Sequence, residues 1–300
     1  MAKQTAKRDV AAEITAKIVE ALESGAAPWV RPWKSGVGPD VGMAGASIPS
    51  NASSGRCYRG VNVFILWATA FRFGYSDARW LTFNQARNLG GSVRKGEKGT
   101  QIVFWKWTVR DEGLPTEKRI PMARAFTVFN VEQCDGLELE AAAPPVEHVL
   151  GAADRVAEQA GARVVRGGDV ACYSRGADFI TVPVAEAFVD AGAYEATLLH
   201  ELTHWTGHAS RLDRQFGKRF GDDAYAAEEL VAELGAAFLC ARLGIQGKLQ
   251  HTEYLAHWAK VLRADKYAIF TAASAAEKAA ALLLPEPSEA SETEEESEAA

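Results

Sequence analysis

The chain has 300 residues, 48% hydrophobic and 24% charged, as expected of a soluble globular protein; this excludes a largely disordered polymer and leaves room for two ordinary domains. Cys57, Cys134, Cys172 and Cys240 form no CxxC and no regular spacing, which excludes a disulfide framework, so any metal is expected on histidine and carboxylate. The net charge of -6 conceals an asymmetry: residues 1–135 carry 19 Lys+Arg against 12 Asp+Glu, residues 136–284 carry 14 against 20, and the last sixteen residues add seven glutamates. A basic front half on an acidic back half implies two modules, the first with a polyanionic partner.

The N-terminus is basic but has no apolar run behind it, so neither signal peptide nor membrane anchor is expected and a cytoplasmic setting is the default. Apolar residues at helical spacing predict a helix over 9–23, stopped by Gly25. Trp29 and Trp33 each follow a proline, in a rigid extended segment that either presents or buries two indoles. A Gly/Ser/Pro/Ala-rich loop then leads to Arg56, Tyr58 and Arg59, before an apolar helix over 63–71. Thr82 is a plausible N-cap for a helix ended by Gly90 and Gly91. A basic glycine turn with Arg94, Lys95 and Lys98 opens a strand over 101–107, and a second strand over 125–131 is expected beside it. Arg56, Tyr58, Arg59, Trp80, Arg94, Lys95, Lys98, Trp105 and Lys106 interleave cations with aromatics, the composition of a single-strand binding surface on which each stacked base contributes about 1–3 kcal/mol. A solvated charged face over an aromatic core has the same composition.

The linker is placed at residues 136–147, around Ala141-Ala142-Ala143-Pro144-Pro145, where the charge changes sign. Beyond it a helix near 146–159, strands near 162–165, 171–174 and 179–182, and helices over 192–208, 224–243, 252–262 and 266–283 are expected. The residues from 285 onward are acidic and lack aromatics, so they read as a disordered tail.

The helix over 192–208 contains His200-Glu201-Leu202-Thr203-His204. Residues four apart share a helix face, so both imidazoles can ligate one Zn²⁺ with Glu201 beside the attacking water as general base. Core histidines are the bland alternative, but an apolar helix would bury them without partners. His208 is the weaker third ligand, since on one continuous helix it lies about 12 Å from His200, and it is expected, like Glu233, in a supporting position around the ligands. Glu229 from the following helix is the preferred ligand, with Glu233 orienting one histidine through its other ring nitrogen. The reversed assignment and Glu228 stay open. The strand over 179–183 is a candidate to pair with an extended peptide, and Tyr225, His251 and Tyr254 are candidate oxyanion donors.

Together these motifs resemble the ArdC-type antirestriction proteins of conjugative plasmids. The resemblance covers residues 9–284 and rests on the G-x-x-P-W-x-x-P-W segment, Tyr58-Arg59-Gly60-Val61-Asn62, Trp80-Leu81-Thr82-Phe83-Asn84-Gln85-Ala86, Val93-Arg94-Lys95-Gly96-Glu97-Lys98-Gly99, the span from His200 to His208, and Glu228-Glu229-Leu230-Val231-Ala232-Glu233-Leu234. It implies an α+β chain: an N-terminal α+β single-stranded-DNA-binding domain (1–135), also found in plasmid primases of the TraC type, and a zincin-like, gluzincin-type metallopeptidase domain (148–284). It also implies Zn²⁺ or another divalent ion such as Mn²⁺, single-stranded DNA as partner, an unidentified protein substrate with the restriction machinery as candidate, and protection of incoming DNA during conjugation. The alternative expectation is a non-catalytic DNA-binding or DNA-mimicking protein in which the zincin domain is a scaffold.

Overall fold

The computed structural model describes residues 9–23, 47–110, 118–142, 146–215, 223–245 and 255–285, with backbone only for 105–110, 118–122 and 223. The Trp29 and Trp33 segment, the tail from residue 286, His251, Tyr254 and the side chains of Trp105 and Lys106 lie outside what is described.

The first domain is built on a four-stranded sheet in the order β1-β2-β5-β4. Its strands are β1 (Ser50–Asn51), β2 (Arg79–Thr82), β4 (Thr100–Arg110) and β5 (Lys118–Asn130). The β4–β5 hairpin is longer than the sequence pattern indicates, pairing from Thr100 opposite Val128 to Arg110 opposite Lys118. Helix α1 (Val10–Glu23) turns Ile14, Ile18, Val19 and Leu22 inward, and α2 (Val61–Phe73) buries Val63, Phe64, Leu66 and Trp67. Asn62 ties α2 to the sheet, its side chain bonding both the N–H and the C=O of Val103 at 2.8 Å. Helix α3 (Phe83–Asn88) starts at Thr82 with a capping box to Gln85, as the sequence predicts. A two-residue ribbon of β3 (Ser92–Val93) and β6 (Cys134–Asp135) closes the domain.

The first helix of the second domain starts later than the sequence pattern suggests: α4 (Ala152–Ala160) begins after Gly151, and residues 146–149 are not helical. Buried Glu195, from the motif helix, accepts from the N–H of Gly151 at 2.5 Å and of Ala152 at 3.1 Å, and contacts His148 Nε2 at 2.5 Å. A distant carboxylate thereby caps α4, which sequence periodicity cannot register. A three-stranded sheet of β7 (Val164–Arg166), β8 (Cys172–Ser174) and β9 (Phe179–Val182) follows in the order β7-β9-β8. Helix α5 (Ala191–Thr206), capped by the Asp190 side chain, packs on α6 (Asp223–Leu243); α7 (Leu255–Ala264) and α8 (Ala268–Leu283) complete the domain.

The two domains share one continuous core. Phe64 of α2 packs on Phe238 of α6 with ring centroids 4.8 Å apart, and Trp67 lies 6.5 Å from the same ring. Thr15 of α1 donates to the carbonyl of Lys266, and Lys266 pairs with Asp9. Glu277 of α8 accepts from the N–H of Gly60 at 2.8 Å.

Helices α5 and α6 approach closely because Gly235 faces Thr203: a Cβ at 235 would stand 2.5 Å from the Thr203 methyl and 2.8 Å from its hydroxyl. Both elements must shift to admit it. Gly235→Ala is therefore expected to destabilise the fold by about 1–3 kcal/mol through overpacking, read as a lowered urea midpoint at unchanged slope.

Candidate metal centre

The motif histidines face α6 from adjacent turns of α5, with ring centroids 4.8 Å apart. Glu229 sits between them: one carboxylate oxygen is 3.5 Å from His200 Nε2 and the other 3.5 Å from His204 Nε2. Behind each ring stands a further carboxylate, Glu233 at 3.4 Å from His200 Nδ1 and Glu228 at 3.2 Å from His204 Nδ1. All five side chains are buried. His204 Nδ1 hydrogen-bonds Glu228 and His200 Nδ1 faces the Glu233 carboxylate, so each ring turns Nε2 toward Glu229.

This donor set fits a divalent cation. Atoms from His200, His204 and Glu229 lie within 4.8 Å of one another. Ligands about 2.1 Å from a tetrahedral ion stand about 3.4 Å apart, close to the separation between Glu229 and each imidazole. Two imidazole nitrogens and a carboxylate oxygen suit zinc and neighbouring transition ions.

Burial pulls the His200 imidazole down, but Glu229 and Glu233 outweigh it and push its pKa to about 10. Burial likewise depresses His204, and Glu228 and Glu229 push it to about 9. For Glu229 burial acts upward, and the two histidines hold the carboxyl well below its usual range.

Glu201 follows His200 and is buried beside β8, where burial first and then the Glu201 charge raise the Cys172 thiol. The peptide-pairing expectation for 179–183 needs correcting: β9 is the central strand, paired with β7 on one side and β8 on the other. The sheet edge against α5 is β8. A second expectation changes with the end of α5 at Thr206: His208 lies outside the helix and its Nδ1 meets Ser210 Oγ at 2.8 Å. Glu228, an open alternative ligand in the sequence, instead supports His204. Arg214 was missed; it donates to Glu228 at 2.8 and 3.1 Å. Tyr225 is half-buried, one turn ahead of Glu229.

The expected nucleic-acid residues divide. Trp80 is 1% exposed, with Tyr75 edge-on 5.9 Å away, and Tyr58 is 8% exposed with its hydroxyl on Asn51. Both are core side chains and present no face for stacking. Strand β2 buries Trp80 and Leu81 consecutively. Arg94 is tied to Glu97, Asp135 and the Glu132 carbonyl, and Arg59 approaches Glu277 at 3.9 Å. Arg56, Lys95 and Lys98 are exposed. The exposed aromatics of this domain include Phe71, Phe73, Phe83 and Phe104, which the sequence reading passed over.

A helix carrying HExxH whose imidazoles meet a glutamate of the next helix, beside a small sheet and behind an N-terminal α+β domain, defines a two-domain protein with a zincin-like domain. Residues 151–275 match the family described as zincin-like metallopeptidase, and residues 8–129 match the N-terminal domain of anti-restriction factor ArdC. The metal-free crystal structure of the antirestriction ArdC protein from plasmid R388 is 40% identical, with a TM-score of 0.76 over 92% of this chain and 97% of that one. Its Mn(II)-bound structure is 38% identical at the same TM-score and coverage. Uncharacterized protein y4eC of Sinorhizobium fredii (strain NBRC 101917 / NGR234) is 39% identical over 303 residues, 95% of each chain. The Escherichia coli DNA primase TraC is 37% identical over 88% of this chain, which spans only 19% of that protein. The chain belongs to the ArdC antirestriction family. Among the described residues no helix is long and apolar enough to cross a membrane.

The raised imidazole pKa values set a pH dependence. A divalent ion must displace protons held by His200 and His204, so its apparent affinity is expected to fall as pH decreases from 9 to 6. Calorimetric titration in buffers of different ionisation enthalpy reads the released protons. In the metal-free protein the sign reverses. Both folded values lie above the ordinary 6.5, so the stability contributed by the charged rings is full below about pH 6.5 and is lost as pH rises through about 9 to 10.

Proposed function

We propose that this ArdC-family protein binds single-stranded DNA through its N-terminal domain and carries a metal-dependent peptidase site in its C-terminal domain, protecting DNA that arrives by conjugation. The observation that carries the reading is the Glu229 carboxylate between two Nε2 atoms, with Glu201 buried and its charge acting on both imidazoles.

His200, His204 and Glu229 hold the ion, either Zn²⁺ or Mn²⁺; the Mn(II)-bound R388 relative supports a divalent metal in the family. When bound, such an ion supplies Lewis acidity toward a peptide carbonyl and lowers the pKa of water. Glu201 takes the proton of the attacking water and passes it to the leaving amine. Glu233 and Glu228 keep the imidazoles in the tautomer that offers Nε2. The β8 edge offers backbone hydrogen bonds to an extended protein segment, with the restriction machinery as candidate substrate. For DNA, exposed Arg56, Lys95 and Lys98 track phosphates, and Trp105 and Lys106 lie on the adjoining strand β4.

Two measurements test the halves. Lys95→Ala and Lys98→Ala are each expected to weaken oligonucleotide binding by the full chain and to reduce the slope of log affinity against log salt by about 0.7 per lost phosphate contact. An unchanged slope removes those lysines from the interface. Glu201→Gln should keep metal content and abolish hydrolysis. If this variant still gives full antirestriction in a conjugation assay, DNA binding alone carries the protection and the zincin domain serves as scaffold.

A further inference from the structure

We propose that Arg214 is a positioning residue for the metal centre: by holding Glu228 against His204 Nδ1 it fixes the His204 ring and sets metal affinity. The inference rests on the metal-binding reading above. Helix geometry accounts for the rest of the constellation but leaves this corner open. Glu233 is four residues from Glu229 and lies on the same face of α6, so the helix itself delivers it to His200. Glu228 is adjacent to Glu229 and leaves the helix about 100° away, so an outside group must turn its carboxylate toward His204.

Arg214 is that group. Its Nε and Nη2 donate to the two oxygens of Glu228 at 3.1 and 2.8 Å, a bidentate fork. The remaining donors reach the end of α5: Nη1 bonds Thr206 Oγ1 at 2.7 Å and Nη2 bonds the Thr203 carbonyl at 2.6 Å. One guanidinium, 11% exposed, therefore couples the C-terminal turn of the HExxH helix to the carboxylate behind its second histidine. The loop that delivers it is itself fixed. Leu212, Asp213 and Arg214 donate their N–H groups to the carbonyls of Thr206, His208 and Gly207, and Asp213 takes a left-handed φ of 45°. Arg211 stacks over the Trp205 ring at 3.7 Å and bonds Asp178, which anchors the same loop to the β8–β9 hairpin.

Lysine at 214 keeps the charge but has no planar fork to span Glu228, Thr206 and Thr203 together. Arg214→Lys is expected to bind Mn²⁺ about 10–100-fold more weakly, with free Mn²⁺ counted by electron paramagnetic resonance. With Co²⁺ as probe, the visible d–d spectrum should change, because the His204 ring is no longer held. A purely structural brace would lower the melting temperature and leave the affinity and spectrum of the folded protein as they are. Thr206→Val removes one bond of the guanidinium without touching α6, and it should shift Mn²⁺ affinity in the same direction by a smaller factor. It decides the matter if Arg214→Lys does not fold. Mn²⁺ binding within twofold of the parent protein, with an unaltered Co²⁺ spectrum, would overturn the proposal. His204→Ala, run alongside, separates the two readings. Retained metal in that variant sinks the metal assignment itself, whereas lost metal there with unchanged binding in the folded position-214 or position-206 variant sinks only the role given to Arg214.

Discussion

Two helices can offer ligands to one ion only if a carboxylate on one reaches imidazoles on the other, and here the contact of Gly235 with Thr203 sets that reach. Leucine-rich helices pack with axes about 8–10 Å apart, depending on the side chains between them. A glycine on α6 opposite a threonine on α5 brings the backbones closer, so Glu229, six residues earlier on α6, meets both histidines at 3.5 Å. The buried charges follow from that approach. Isolated, each would be prohibitive; arranged as alternating imidazole and carboxylate, they offset one another's desolvation.

The same helix carries the junction between the domains. Phe238, nine residues beyond Glu229, receives Phe64 and Trp67 from α2. Helix α6 thus has the carboxylates of the candidate metal site near one end and the anchor of the N-terminal domain further along. The continuity of the core explains why the change of composition and charge at 136–147 does not separate two independent bodies.

Much of the site was legible in the sequence because helical periodicity is strict. His200, Glu201 and His204, and Glu229 with Glu233, are related by local spacings that backbone geometry converts directly into shared faces. What escaped was set by distant contacts. The start of α4 depends on Glu195, forty-three residues from its first residue, and the support of His204 depends on an arginine from a loop. The strand order β7-β9-β8, which turns an expected edge into a centre, is likewise a matter of pairing that no local pattern encodes. In the basic domain the difficulty was different. Tryptophan and tyrosine serve equally as core and as stacking platforms, and residue type alone assigned Trp80 and Tyr58 to the surface when packing had taken them inside.

The shared core also constrains how the N-terminal half can be studied. Helix α1 buries Ile14, Ile18 and Leu22, and the element packed most extensively against it is α7, more than two hundred residues further along the chain. Removing the second domain would expose this apolar stripe and the faces of Phe64 and Trp67 that now meet Phe238. A fragment ending at residue 135 thus loses part of the cover of its own core, and failure of such a fragment to bind DNA would report on packing, not on the cations at 56, 95 and 98. The basic surface and the candidate metal site keep the neighbours that shape them only where the two domains stay together.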